Sequence, residues 1–159
     1  MKTEYLSPST QESNIGCGEY GTEEKRMNEV ADVTQQVLER HGITVYRNKP
    51  EWTLSQVVAD SNARKPDVHF AIHSNAGGGR GCEVFCHRLG GSGERLARAV
   101  YEELSPLTPA GDRDVKEGYN FYGPGKHMYE MAKTDAPAAL VEVAFHDNPD
   151  DSQWIMSHI

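Results

Sequence analysis

Apolar residues gather in short runs along this chain, and two of these runs predict buried strands. One lies within residues 66–75, where the apolar part ends at His73. The other is Ala138–Phe145, whose single charged residue is Glu142. Both runs follow a proline, and short runs of β-branched and aromatic residues favour central strands over helices. The two strands form the framework for everything else in the chain.

Helical periodicity alternates with shorter strand-like runs in the remaining sequence. Further strands are predicted at residues 5–7, 43–46 and 81–87, helices at 22–41, 54–62, 93–104 and 150–158, and long loops at 9–21 and 105–125, the second loop with one short strand. Strands separated by helices are typical of βαβ units. The pattern therefore predicts a single-domain α/β fold in which an open, mostly parallel, twisted sheet carries helices on both faces.

Composition narrows the possible partners. The chain has 159 residues, the size of one domain, and a formal net charge of −8. Nucleic-acid binding depends on Lys and Arg side chains that neutralise phosphates, so a nucleic-acid partner is not expected. No segment approaches the ~18 apolar residues of a membrane span, and the first residues lack the apolar stretch of a signal peptide. We expect a monomer that does not insert into membranes.

Glu142 is the charged residue that the pattern explains least well. A carboxylate within an apolar strand costs free energy unless it is paired, bound to a metal or neutralised. One interpretation is a strand-end carboxylate whose side chain reaches water. The other is a general acid or base whose pKa is raised by burial.

His73 ends a buried strand and precedes a polar, glycine-rich loop, which is where open α/β sheets form a ligand crevice. Core histidines are more often structural than ligands, and His69 has the same strand parity, so we assign the structural role to His69. Glu24 starts the first predicted helix, where the helix dipole already favours a carboxylate. Taken together, Glu24, His73 and Glu142 fit a mononuclear zinc site, which needs His and carboxylate ligands and a carboxylate near the bound water.

The segments around these residues resemble motifs of the zinc-dependent N-acetylmuramoyl-L-alanine amidases of the amidase-3 type, found in bacterial autolysins, spore-lysis enzymes and phage endolysins. Residues 71–76 are similar to the S-I-H-x-N-A segment of the family, residues 81–85 to its G-x-E-V-Y strand, and residues 137–145 to its P-x-x-L-V-E-x-x-F strand. Glu24, with Asn28 four residues later, resembles the glutamate that opens the first family helix. The resemblance covers nearly the whole chain.

The resemblance implies an open, mainly parallel sheet and a hydrolase that acts on peptidoglycan. It implies that Glu24 and His73 bind Zn2+ and that Glu142 activates the metal-bound water and then protonates the leaving amine. The cleaved bond would join the lactyl group of N-acetylmuramic acid to L-alanine of the stem peptide. Thr10 stands where the family has its first histidine ligand, which leaves the third ligand unassigned, with Glu12, His127 and an extra water as candidates.

Two other functions remain open, namely a non-catalytic wall-binding module on an amidase scaffold and a zinc peptidase that cuts within the stem peptide. We expect residues 1–159 to form a catalytic domain that ends before the last helix of the family and has no recognisable wall-binding module, consistent with a fragment. Without a signal peptide, the protein is expected to be cytoplasmic until lysis or another export route brings it to the cell wall.

Overall fold

The computed structural model describes residues 2–110 and 113–159 and is built around a six-stranded sheet. The strands are β1 (Thr3–Pro8), β2 (Thr44–Arg47), β3 (Val68–Asn75), β4 (Glu83–Cys86), β5 (Val115–Glu117) and β6 (Ala138–Phe145). The helices are α1 (Glu23–Arg40), α2 (Leu54–Arg64), α3 (Glu94–Leu104), α4 (Tyr129–Lys133) and α5 (Pro149–Ser157), with a 3-10 turn at Ser105–Leu107.

The strand order is β2-β1-β3-β6-β4-β5. All neighbouring strands run parallel except β4 and β6, which pair antiparallel. The segment 76–82 between β3 and β4 is too short for the helical crossover that a parallel return requires, so β4 runs the other way. The open, mostly parallel sheet expected from the sequence is confirmed.

Helices cover both faces of this sheet, as predicted. On one face, α1, α3 and α5 place Met27, Ala97 and Ile155 in a core cluster with apolar residues of the strands. On the other face, Met131 of α4 packs in a second cluster with Leu140 of β6. Because side chains alternate along a strand, His69 and His73 of β3 belong to this second face.

One helix was not predicted from the sequence. This helix is α4, whose five residues are too few to display a helical period. The segment 105–125 starts with the 3-10 turn and contains β5, the short strand expected there. At the start of α1, the Thr22 side chain accepts a hydrogen bond from the Lys25 backbone N–H at 3.2 Å, which is the usual hydrogen bond of an N-cap. Within residues 2–110 and 113–159, none of the helices is long and apolar enough to traverse a bilayer.

Candidate active site

The carboxyl-terminal halves of β3 and β6 bring His73 and Glu142 side by side. The two residues are Cα partners in the parallel β3–β6 register, and Glu142 is also the partner of Glu83 in the antiparallel β4–β6 pair. Open α/β sheets bind ligands at the carboxyl edge of their strands. The two residues singled out from the sequence therefore meet at the edge where a site is expected.

A buried carboxylate from the first turn of α1 contacts His73. The Nδ1 atom of His73 donates a hydrogen bond of 2.8 Å to Oε1 of Glu23, whose residue is 1% exposed. Asn14 donates to the other oxygen of Glu23 at 2.7 Å. Burial alone would raise the pKa of Glu23, but the hydrogen bond and charge of His73 and the bond from Asn14 outweigh it and lower that pKa. The result is an ionised carboxylate held against an imidazole.

The pKa of His73 shifts in the opposite direction, upwards. Burial by itself would lower the pKa of His73, but the hydrogen bond to Glu23 and the negative charges of Glu23 and Glu142 raise this pKa to about 9. No hydrogen-bond partner for Nε2 of His73 exists among the residues that the structure describes. The hydrogen bond to Glu23 therefore holds the Nδ1 side of the ring.

Glu23, and not Glu24, is the glutamate of α1 that contacts His73. The Glu24 carboxylate forms no hydrogen bond or ion pair with the described residues, and its residue is only half-buried. Neighbouring residues on a helix point about 100° apart, so only one of the two glutamates can face β3. The sequence offers no signal that separates them, since both lie in the first turn after the N-cap Thr22.

Glu142 has one oxygen that nothing in the described protein satisfies. Its Oε2 atom is buried and has no hydrogen-bond partner there. Burial raises the pKa of Glu142 to about 8, with His73 acting to lower it and the nearby charges of Glu23 and Glu83 acting to raise it. Buried polar atoms are almost always hydrogen-bonded, so an unpaired one at a cleft indicates a role toward a ligand. This arrangement fits the interpretation of Glu142 as an acid or base rather than a solvated strand end.

A cleft of ≈ 350 Å³ opens over His73 and Glu142. Its walls include three side chains that are well exposed, Leu54 at 40%, Tyr122 at 63% and Tyr129 at 43%. Exposed aromatic rings at a cleft wall suit contact with sugar or peptide. Of the other loop aromatics, Phe121 packs edge-on against Phe85 and Tyr119 stacks on His127, so Tyr122 is the loop aromatic that faces the cleft.

Among residues 2–110 and 113–159, no further imidazole or carboxylate takes the third position of the expected ligand set. Thr10 lines the cleft, and Nε2 of the neighbouring Gln11 lies 3.4 Å from Nδ1 of His73. Glu12 is exposed, and His127 is stacked on Tyr119 with a centroid distance of 4.4 Å, so neither contacts His73. Across the described residues, no group of three His, Cys, Asp or Glu side chains is arranged to hold a metal ion.

His69 occupies a fully buried polar network, in agreement with its assignment as structural. Its Nε2 atom donates to Oε1 of Glu130 at 2.8 Å and its Nδ1 atom shares a hydrogen bond of 2.9 Å with Ser61. Ser7 donates to the same oxygen of Glu130 at 2.5 Å. Sequence reasoning missed Glu130, although it carries the signal that identified Glu142, a lone carboxylate in the apolar run 128–132.

Residues 6–159 match the family model described as N-acetylmuramoyl-L-alanine amidase. The N-acetylmuramoyl-L-alanine amidase CwlM of Bacillus licheniformis is 26% identical over 160 residues, which cover 96% of this chain and 60% of that protein. This chain thus spans 60% of the length of that relative.

The fold is similar to two solved amidase structures. The catalytic domain of CwlV from Bacillus (Paenibacillus) polymyxa var. colistinus superposes with a TM-score of 0.83 at 21% identity, over 98% of this chain and 87% of that one. AmiC2 of Nostoc punctiforme gives a TM-score of 0.81 at 19% identity, over 99% of this chain and 87% of that one. At these identities the likeness establishes the fold. Because the family model covers almost the entire sequence, the chain belongs to the N-acetylmuramoyl-L-alanine amidase family of the amidase-3 type.

Proposed function

We propose that this protein is a zinc-dependent amidase that hydrolyses peptidoglycan at the bond between the lactyl group of N-acetylmuramic acid and L-alanine of the stem peptide. The observation that carries the proposal is the buried, unpartnered oxygen of Glu142 beside the Glu23–His73 pair in the cleft. Membership of the amidase family supports the reaction class. Action on the cell wall follows from this substrate.

Glu23 and His73 are the residues that would hold Zn2+. An imidazole nitrogen and a carboxylate oxygen are common zinc donors, and Nδ1 of His73 and Oε1 of Glu23 lie 2.8 Å apart. We propose Glu23 in place of Glu24 as the carboxylate ligand, so that the described residues supply two protein ligands, because neither Glu12 nor His127 contacts His73. When bound, zinc supplies Lewis acidity to a carbonyl oxygen and a nucleophilic water at neutral pH.

Glu142 moves the proton in this proposal. Its carboxylate, with a pKa raised to about 8 by burial, accepts a proton from the attacking water and then delivers it to the leaving nitrogen of L-alanine. General acid–base catalysis is most efficient when the pKa of the group lies near the working pH. Glu23 fixes the orientation of the His73 ring, and the walls of the cleft hold the substrate amide over both groups.

The test is the Glu142→Gln variant, which keeps the shape of the side chain and removes its basicity. We expect the release of peptide from purified sacculi to fall by about 10²–10⁴-fold, the usual contribution of a general acid or base, while zinc content stays at the parental level. Glu12→Gln changes an exposed carboxylate in the loop that flanks the cleft and is the matched control. This variant should retain both the parental rate of peptide release and the parental zinc content. Lysis by Glu142→Gln at the parental rate would refute the mechanism.

The products separate this function from its two alternatives. An amidase releases peptides whose new amino terminus is L-alanine, whereas a peptidase that cuts within the stem exposes a different residue. A protein that sediments with sacculi, contains no zinc and releases no peptide would be a wall-binding module. Sequencing of the released peptides by mass spectrometry, alongside metal analysis, therefore distinguishes all three.

A further inference from the structure

The side chain of Gln11 stands beside His73 in the cleft. Gln11 is exposed and lines the same cleft as His73 and Glu142. Its Nε2 atom lies 3.4 Å from Nδ1 of His73. That Nδ1 atom donates its proton to Glu23, so it cannot also accept one from Gln11. Within residues 2–110 and 113–159, no other acceptor lies within hydrogen-bond distance of the two N–H groups of Gln11.

A chain of hydrogen bonds fixes which end of the Gln11 amide faces the cleft. The carboxylate of Glu23 only accepts hydrogen bonds, so the Asn14 atom that contacts it at 2.7 Å is the donor Nδ2. The same Nδ2 atom donates to Oε1 of Gln11 at 2.9 Å. Turning either amide round would set two acceptors or two donors against each other. Gln11 therefore presents its Nε2 donors beside His73, and these donors have no lone pair for a cation.

The backbone around Gln11 is also held in place. The hydroxyl of Ser9, a residue that is 1% exposed, accepts a hydrogen bond from the Gln11 backbone N–H at 3.2 Å. The backbone N–H of Ser9 donates to the carbonyl of Ile72 in β3 at 3.0 Å. The backbone N–H of Glu23 donates to the carbonyl of Asn14 at 2.8 Å. The donors of Gln11 are thus positioned before a substrate binds, which is the condition for electrostatic preorganisation.

Fixed N–H donors in a cleft suit an oxygen atom that gains negative charge during a reaction. When water attacks the carbonyl carbon of an amide, the π electron pair of the C=O bond moves to the oxygen, and the water proton passes to Glu142. The pair returns when the C–N bond breaks, and the proton passes from Glu142 to the leaving nitrogen. Donors aimed at this oxygen stabilise the transition state more than the substrate, because the charge develops only there.

We propose that Gln11 is a further catalytic residue, whose Nε2 N–H groups donate to the oxygen of the scissile carbonyl as that oxygen becomes an oxyanion. The inference rests on the proposed function and deepens it, because it assigns one more residue of the cleft to the same reaction. Gln11 then contributes a hydrogen-bond donor beside His73, and not a third metal ligand.

The test is the Gln11→Met variant, which keeps the length of the side chain and removes its donors. A soluble glycan–peptide fragment prepared from sacculi serves as the substrate, so that kcat and KM are measured separately. We expect kcat to fall about 10²-fold, as for the loss of one oxyanion donor, while KM stays within about twofold of the parental value. Zinc content should stay at the parental level.

A second variant, Gln11→Glu, separates this role from that of a metal ligand. It keeps the shape of the side chain and replaces the donors by a carboxylate. We expect kcat to fall at least as far as in Gln11→Met, because a carboxylate repels the developing oxyanion. If the position instead lacked a metal ligand, Gln11→Glu would retain zinc better during dialysis against a chelator and would keep or exceed the parental kcat.

Gln35→Met provides the matched control. The Gln35 amide also has a hydrogen-bonded partner, Glu39 at 2.8 Å, but it lies in the second half of α1 and not in the cleft. This variant should keep the parental kcat and KM. Thermal unfolding confirms that each variant is folded.

Three results would overturn the inference. The first is a parental kcat in Gln11→Met. The second is a loss of zinc in Gln11→Met that matches its loss of activity, which would mean that Gln11 only supports Asn14 and Glu23. The third is a parental or higher kcat in Gln11→Glu. In all three the parent protein is active, whereas a parent that releases no peptide would refute the proposed function and this inference with it.

Discussion

Two histidines on the same face of β3 have nearly the same immediate partner. His69 and His73 lie four residues apart, and each donates a hydrogen bond of 2.8 Å to a buried glutamate, Glu130 and Glu23 respectively. Each glutamate has a pKa lowered by its histidine against the opposing effect of burial. Pairing with a carboxylate is therefore not what distinguishes a functional histidine from a structural one.

The difference lies in what is left unsatisfied. Both ring nitrogens of His69 have partners, and the side chain is completely buried. The side chain of His73 is 13% exposed, its Nε2 atom has no partner among the described residues, and its neighbour Glu142 has a buried oxygen in the same condition. A satisfied network stabilises a core, whereas incomplete pairing at a cleft leaves capacity for a ligand.

The largest expected effect separates the two glutamates at the start of α1. In Glu23→Gln, loss of the carboxylate beside His73 should abolish zinc retention after dialysis and lower hydrolysis of sacculi by ~10³-fold, since a metal contributes several kcal/mol to such reactions. Glu24→Gln makes the same chemical change one residue away and should stay within about twofold of the parent. Metal analysis and peptide release measure both variants. The reverse pattern would assign the ligand role to Glu24. It would also mean that the Glu23–His73 contact is structural, as the Glu130–His69 contact is.

The sequence was sufficient for most of the fold but for only part of the site. Apolar runs with a single polar interruption identified β3 and β6 and, through them, His73 and Glu142, because burial of a strand is a local property of its composition. The choice between Glu23 and Glu24 depends on how α1 is rotated against β3, which is a tertiary property. The paths of the loop residues near the site, Thr10 and Gln11, depend on tertiary contacts for a similar reason, since residues 9–21 have no periodicity that would fix their path.

The second largest expected effect is a loss of stability when the hydrogen-bond network of His69 is broken. His69→Leu leaves the buried Glu130 without its main partner, and breaking a buried pair typically lowers the free energy of unfolding by about 3–5 kcal/mol. Urea denaturation should record this loss, while the folded fraction retains zinc. His41→Leu, at an exposed histidine after α1, loses only a side-chain hydrogen bond to the Val37 carbonyl and should change stability by less than about 1 kcal/mol. A parental unfolding curve for His69→Leu would show that the network contributes nothing to stability.

The smallest effect should come from replacing both members of the structural pair by apolar residues. In the double variant His69→Phe, Glu130→Leu no buried charge is left unpaired, and such replacements are often neutral or stabilising. The hydroxyls of Ser7 and Ser61 lose their partners, so we expect a net loss of about 1 kcal/mol, well below that of His69→Leu alone.

A double-mutant cycle built from His69→Phe, Glu130→Leu and their combination measures the coupling between the two positions. The corresponding pair of changes at His73 and Glu23 should fail to restore zinc binding or hydrolysis, because there the polar atoms are needed for a ligand and not for packing. If the apolar pair at 69 and 130 instead destabilises as much as His69→Leu, the network requires its own polar chemistry, and the division between a replaceable and an irreplaceable histidine–glutamate pair does not hold.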